Sequence, residues 1–242
     1  MTCKKMPVVL AGLLVGFLLS VSPLYAGTIF QSFTNNSFNT QYFFLQMSGT
    51  PGTPTVAVTS NRLELTVPAT TSSTSPPAAA GLEPYDIYNL TGDYDIQVDF
   101  NLLNWPTPNG VQAGIITPQY EVDRVYYDWQ GNQDAYFVYF FAETVPGQPN
   151  WGHVVPTSDN SGKLRLNRIG NTVSGYYWQN NAWQPIASNT DPQNGGPISF
   201  YIGGYAGNRS IGQDTKIAFD NLKVTNGVFP SSLPPLNLLL GN

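Results

Sequence analysis

The sequence predicts an all-β protein, a two-sheet antiparallel β-sandwich or jelly roll of about 12 to 14 strands. Three observations carry that prediction. Apolar and polar residues alternate with period two, and no segment sustains a helical apolar period over several turns. Turn residues interrupt the alternation about every 8 to 15 residues. Gly (23) and Pro (20) are plentiful but aperiodic, which excludes collagen and suits many tight turns.

The chain opens with an address rather than a fold. Lys4 and Lys5 precede an apolar run from Val8 to Val21, which ends in Ser22-Pro23-Leu24-Tyr25-Ala26. That order describes a secretory signal peptide over residues 1–26, with cleavage after Ala26. The rival reading is an uncleaved anchor, but the apolar stretch falls short of the ~20 residues a spanning helix needs. A secreted or periplasmic location is expected, with no membrane span in the mature chain. Cleavage removes Cys3, the only cysteine, so disulfides and thiolate chemistry are excluded.

A single sandwich domain is expected over residues 27–228. Within it, Thr70 to Gly81 holds only small and polar residues and reads as a flexible surface loop. In Asp95 to Leu102 the even positions are apolar. Leu164 and Leu166 alternate with Lys163, Arg165 and Asn167, and Ile198, Phe200 and Ile202 alternate with Ser199 and Tyr201. Each stretch reads as a strand with one buried face. Thr91-Gly92-Asp93, Gly131-Asn132, Gly170-Asn171, Asn180-Asn181 and Asn194-Gly195-Gly196 mark turns between strands. The tail over 229–242 carries Pro230, Pro234 and Pro235 before four leucines. Its prolines forbid a central strand, so docking onto the sandwich or onto a protein partner is expected.

Charge narrows the partners. Only 10% of residues are charged, with 10 basic against 15 acidic residues. Without Lys4 and Lys5 the balance is 8 against 15, a formal charge of −7. No basic run is present, which excludes nucleic acid as a partner because phosphate binding needs clustered Lys and Arg. Neutral sugars or cations remain compatible.

Family resemblance enters in the C-terminal half. The run from Gly162-Lys163-Leu164-Arg165-Leu166 to Gly170-Asn171-Thr172, then Tyr176-Tyr177-Trp178 and Ala182-Trp183-Gln184-Pro185-Ile186, resembles concanavalin A-like lectin/glucanase domains, including laminin-G-like modules. Ala218-Phe219-Asp220-Asn221-Leu222-Lys223-Val224 is similar to their closing strand. The resemblance spans about 200 residues and implies a fold rather than a reaction, since that superfamily holds lectins, hydrolases and lyases. It also implies sugar lying across the concave sheet.

The paired-carboxylate glycosidases of that superfamily present E-x-D-x-x-E on one strand, and retaining hydrolysis needs carboxyls about 5 to 5.5 Å apart. Here Glu121-Val122-Asp123 starts that pattern, and Tyr126 stands where the acid should be. Glu121 and Asp123 are therefore expected to face solvent. His153 is the sole histidine and cannot build a multi-histidine zinc site; no Gly-x-Ser-x-Gly elbow accompanies it.

Aromatic residues make up 13% of the chain, and many fall at outward positions, such as Tyr176 and Trp178 if Tyr177 points inward. Aromatic faces stack on the C–H face of sugars while polar side chains read hydroxyls. In Asp134 to Phe141 both phases are apolar, so the second face needs a cover, either protein or ligand. The ligand site is accordingly expected around Arg124, Tyr126, Tyr136, Trp151 and His153. At Asp220-Asn221 the apolar parity shifts, the signature of a β-bulge. The resemblance implies structural Ca²⁺ at Asp220, although Gln31-Ser32 replaces the usual acidic partner; capping of backbone amides by Asp220 is the alternative. Asn35, Asn89 and Asn208 begin glycosylation sequons, which matter only in a glycosylating host. A non-catalytic carbohydrate-binding or adhesion-type module, taking a glycan or cell-surface polysaccharide, is the expected function. The alternatives are a polysaccharide hydrolase or lyase using Glu121, Asp123 and His153, or a structural surface protein.

Overall fold

Alternating polarity suits a surface with one wet and one dry side, and the chain forms strands almost throughout. A computed structural model describes residues 27–47, 54–69, 78–106, 109–129, 132–141, 152–191, 194–206 and 213–226. The signal-peptide segment and the proline–leucine tail lie outside the described residues. In chain order the strands are β1 (Gly27–Gln31), β2 (Phe43–Met47), β3 (Thr55–Thr59), β4 (Arg62–Val67), β5 (Ala78–Pro84), β6 (Tyr94–Asn104), β7 (Val111–Ile116) and β8 (Tyr120–Trp129). They continue as β9 (Asn132–Phe141), β10 (His153–Pro156), β11 (Ser161–Ile169), β12 (Thr172–Gln179), β13 (Ala182–Thr190), β14 (Tyr201–Ala206) and β15 (Thr215–Asn226). Short 3₁₀ turns at Thr34–Asn36 and Asp86–Tyr88 are the described helical elements.

Two antiparallel sheets result. One has eight strands in the order β13–β12–β11–β6–β15–β4–β3, with β1 also paired to β15. The other has seven, in the order β10–β9–β8–β7–β14–β5–β2. The count exceeds expectation because strands such as β10, at 4 residues, are too short to show an alternation. Ile96, Val98 and Phe100 of β6 point into the core, as their even spacing predicts. Leu164 and Leu166 do the same from β11, in the same core as Ile115, Val122 and Ile202 of the opposite sheet's inner side. Burying each such side chain contributes roughly 1.5 to 3 kcal/mol, so this shared layer is the main stabilising term.

Local chemistry closes the hairpins. Ser60 and Asn61 (φ 53° and 58°) join β3 to β4, and Asn180 and Asn181 (φ 54° and 58°) join β12 to β13. Two successive left-handed residues match the twist of the flanking strands, and Asn tolerates that region best after Gly. The β15 register shifts between Asp220 and Lys223 against β6, so the parity change seen in the sequence is a bulge. One expectation needs correction. Ala78 to Gly81 belong to β5 rather than to a surface loop, because small residues are what the close neighbour β14 admits. A Cβ at Gly81 would lie 2.7 Å from both the Ile202 carbonyl and the Tyr201 ring.

An ion pair closes one end of the interior. Arg168 Nε lies 2.7 Å from Asp191 Oδ2, with side-chain exposures of 6% and 7%. The contact is off-axis for the Nε–H, so it is an ion pair rather than an aligned hydrogen bond. Asp191 Oδ2 also accepts the Gly195 N–H at 3.1 Å. Gly195 has φ +83°, and a Cβ there would meet the guanidinium at 2.6 Å. Arg168→Met leaves a buried carboxylate without its cation and is expected to cost about 3 to 5 kcal/mol in urea denaturation. The double variant Arg168→Met/Asp191→Leu is expected to recover most of that loss; no recovery would mean that the pair itself stabilises the fold.

Candidate functional site

The residues expected to form the ligand site fall on three neighbouring strands, β8, β9 and β10, apart from Trp151. Arg124 stands opposite Ala113 and Phe137, both core residues, and is only 2% exposed. Its Nη1 donates to the Val125 carbonyl at 2.6 Å, its Nε donates to the Asp159 carbonyl at 3.3 Å, and its guanidinium lies 6.0 Å from the Phe137 ring centre. Arg124 is therefore an interior cation, which corrects its placement in an open site. Tyr126 and Tyr136 hold register positions opposite Ala135 and Val125, one step out of phase with each other. His153 starts β10 opposite Tyr139 and is exposed at the sheet edge. Trp151 lies outside the described residues. Alternation reveals strands but not the register between them, and register is what sets Tyr136, opposite Val125, out of phase with Arg124.

A different constellation does form, on the face of the seven-stranded sheet turned away from the core. Directly opposed residues share a face, so the ladders can be read across. Asp123 of β8 opposes Gly114 of β7, which opposes Gly203 of β14, which opposes Gly81 of β5, which opposes Gln46 of β2. This row runs from an acid to an amide over three glycines. Beside it, Glu121 opposes Ile116, and Ile116 opposes Tyr201. A Cβ on Gly114 or Gly203 would collide with the neighbouring strand's backbone, so these glycines permit close strand approach and leave a low floor. Gln46, Ala79, Ala80, Gly81 and Tyr201 line a depression of about 80 Å³ there. That is well below the 300 Å³ or more of an enclosing small-molecule pocket, so this face suits a ligand laid across it.

The electrostatics of this face are acidic. Asp123 is fully buried, and its carboxyl is held well above the usual range, first by burial and then by the charge of Glu121. Among the described residues no N–H donor meets either Asp123 oxygen; its partner is the Glu121 carboxyl. A neighbouring carboxyl of like charge makes ionising both costlier than ionising one. This corrects the expectation that both face solvent, since only Glu121 retains partial exposure. The Tyr201 hydroxyl is pushed above the ordinary phenol range by burial, then by the charges of Asp123, Glu121 and Glu83. Glu83 is itself raised by burial and by Asp86. Among the described residues, no Lys or Arg side chain faces this cluster. The alternation around Ile202 already pointed Tyr201 outward, whereas Glu83 and Gln46 gave no signal in the sequence.

Asp220 does not fit the calcium ion that the family resemblance implies. Its Oδ1 accepts the Asn221 backbone N–H at 2.7 Å. Asp99, directly opposed to it, binds Lys163 Nζ at 2.7 Å and Asn221 Nδ2 at 3.0 Å. The hollow around them measures about 350 Å³, whereas calcium wants oxygen ligands on all sides at about 2.3 to 2.6 Å. Among the described residues, no three acidic, His or Cys side chains group to hold a metal. The Lys163 ammonium and the bulge amide satisfy these carboxylates instead.

No protein-family model and no curated protein sequence matches the chain. Solved structures match its fold. Alginate lyase A1-II′ aligns with a TM-score of 0.55 at 12% identity, over 81% of this chain and 99% of the lyase. A prokaryotic β-1,3-1,4-glucanase (lichenase) derived from a mouse hindgut metagenome gives 0.55 at 14% identity, over 83% and 99%. LamA from Zobellia galactanivorans, in complex with laminaritriose and laminaritetraose, gives 0.50 at 11% identity, over 82% and 92%. The protein has the concanavalin A-like β-sandwich fold. It shares that fold with alginate lyase and β-glucanase structures at the level of structure alone.

Two outcomes follow from this geometry. A carboxyl whose folded pKa is raised holds its proton more tightly in the folded state, so its stabilising share is complete below the ordinary value of 3.8 and is lost as pH rises. Asp123→Asn keeps the shape without the titration. Its melting temperature is expected to fall less than the parent's between pH 4 and pH 8, and parallel curves would count against a raised Asp123 carboxyl. Second, EDTA and added Ca²⁺ are expected to leave the parent melting temperature unchanged. A calcium-dependent rise of several degrees would show that an ion is held after all.

Proposed function

We propose that this protein is carbohydrate-active and holds a neutral polysaccharide across the outer face of the seven-stranded sheet. The observation that carries this reading is the acidic, glycine-floored row beside Tyr201, with no cation facing it among the described residues. A uronate chain needs Arg or Lys to neutralise its carboxylates, and the acidic side chains of this face supply neither. A neutral sugar meets no such penalty. It can lay its C–H face on the Tyr201 ring and its hydroxyls on Gln46 and Glu121. The alginate lyase and glucanase structures support carbohydrate as the ligand class, and the charge of this face favours the neutral kind. An exported protein would meet such polymers, in keeping with the leader-like first 26 residues.

Hydrolysis is the second reading, favoured by the Glu121–Asp123 pair. One carboxyl held protonated beside another that ionises is how acid and base roles are divided. The pair lacks a remote acid, however. β8 pairs with β9 without a register shift through Trp129, so no bulge brings position 126 onto the Glu121 face. Glu83 lies three strands away, about 14 Å at the usual strand spacing, beyond the roughly 5 to 9.5 Å that glycosidases use. Binding without cleavage is therefore the leading form of the proposal.

Affinity electrophoresis through mixed-linkage β-glucan, xylan and alginate, with parallel reducing-sugar assays, separates these readings. The parent is expected to be retarded by a neutral polymer and not by alginate. Tyr201→Ala should weaken binding by about 1 to 3 kcal/mol, roughly five- to 150-fold. Preference for alginate would overturn the neutral assignment, and release of reducing ends that Glu121→Gln abolishes would establish the hydrolase instead.

A further inference from the structure

The outer face of the eight-stranded sheet carries an aromatic platform that this function does not use. Leu164, Leu166 and Val173 fill the core from β11 and β12, so Arg165 and Tyr176, directly opposed, face outward. Trp178 and Trp183 oppose each other on β12 and β13, packed edge to face with ring centres 5.1 Å apart and planes at 77°. All three rings are half-buried, and the exposed Pro185 sits opposite Tyr176. The Arg165 guanidinium lies 5.4 Å from the Tyr176 ring centre and 5.6 Å from that of Trp183. Asp95 holds it there through bonds of 2.9 and 2.7 Å, and Gln97 Nε2 donates to both Asp95 oxygens at 3.1 Å. The polar groups beside the rings are thus fixed in advance.

The charges on this face offset one another. Asp95 pairs with Arg165 and Asp99 with Lys163, while Lys223 opposes Gln97 two rungs from the Asp220–Asp99 pair. A polyanion or a polycation finds no net attraction here. An apolar protein surface would strip water from the Arg165–Asp95 pair without replacing its hydrogen bonds, which is costly. A neutral polyhydroxylated ligand avoids both penalties: its C–H faces cover the rings while its hydroxyls continue the network of Asp95, Gln97 and Arg165.

We propose that Tyr176, Trp178 and Trp183, together with the Arg165–Asp95 pair, form a second glycan-binding site for neutral polysaccharide, on the opposite side of the sandwich from Tyr201. It shares the carbohydrate ligand class with the proposed function but none of its residues. Two sites on opposite faces of one rigid domain grip separate polymer chains, so retention on a polymer network exceeds what either face gives alone.

The test runs the full chain through gels of mixed-linkage β-glucan and of xylan, comparing the parent, Trp178→Ala/Trp183→Ala, Tyr201→Ala and the triple variant. The tryptophan pair is expected to weaken retention about five- to tenfold, and the triple variant further still. Trp178→Tyr/Trp183→Tyr, which keeps two rings, should retain most of the binding. Because alanine variants can lose the fold, polymer should also shift tryptophan fluorescence in the Tyr201→Ala chain, and not in the Tyr201→Ala/Trp178→Phe/Trp183→Phe chain. Binding lost with Tyr201→Ala but intact in the tryptophan variants would overturn the second site and leave the first standing. The reverse would keep this site and sink the first. No retention of the parent would overturn both. A dimer in sedimentation equilibrium that the tryptophan pair converts to monomer would overturn the glycan assignment in favour of self-association.

Discussion

Directly opposed residues in an antiparallel ladder must share a face, and each of the two sheets has one face to give to the core. Everything about this molecule's surface chemistry descends from that constraint. Once Ile96, Val98 and Phe100 are committed inward, Asp95, Gln97 and Asp99 are committed outward, and the ladder passes the assignment to Arg165, Lys163 and Tyr176. On the other sheet, commitment of Ile115, Val122 and Ile202 to the core brings Glu121, Asp123 and Tyr201 to one side. A slip of one residue in β8 would exchange Arg124 for Asp123 and reverse the charge of that face.

Two buried cations depart from the apolar filling of the interior, and both are tied down. Arg124 spends its donors on carbonyls and its flat face on Phe137. Arg168 meets Asp191, near the high-pKa hydroxyls of Tyr94 and Tyr120, both raised chiefly by burial. Cations sealed in this way contribute specificity of register rather than large net stability, because desolvation cancels much of the attraction. They are also lost to ligand chemistry, which leaves the outer faces as the places where a partner can be met.

Those two faces differ in electrostatic character. Three carboxyls surround Tyr201 with no described cation opposite, whereas the platform of Tyr176, Trp178 and Trp183 lies beside matched pairs. Both arrangements disfavour acidic polymers, one through the lack of a described cation and the other by offering no net field. Neutral sugars are the ligand class that both proposals share.

The strands and their buried faces were legible in the sequence, because side chains in a strand alternate with period two and the core accepts only apolar ones. The bulge at Asp220 was legible for the same reason, since it breaks parity at Asp220-Asn221. So was the outward position of Tyr176 and Trp178, once Val173 and Tyr177 were taken inward. Register between strands was not legible, as it depends on pairings between residues far apart in the chain. Tertiary structure alone therefore decided that Arg124 is interior while Asp123, one residue earlier, is a buried acid on the other face. It alone aligned Gly81, Gly203 and Gly114 across three strands, a row whose members stand at unrelated places in the sequence.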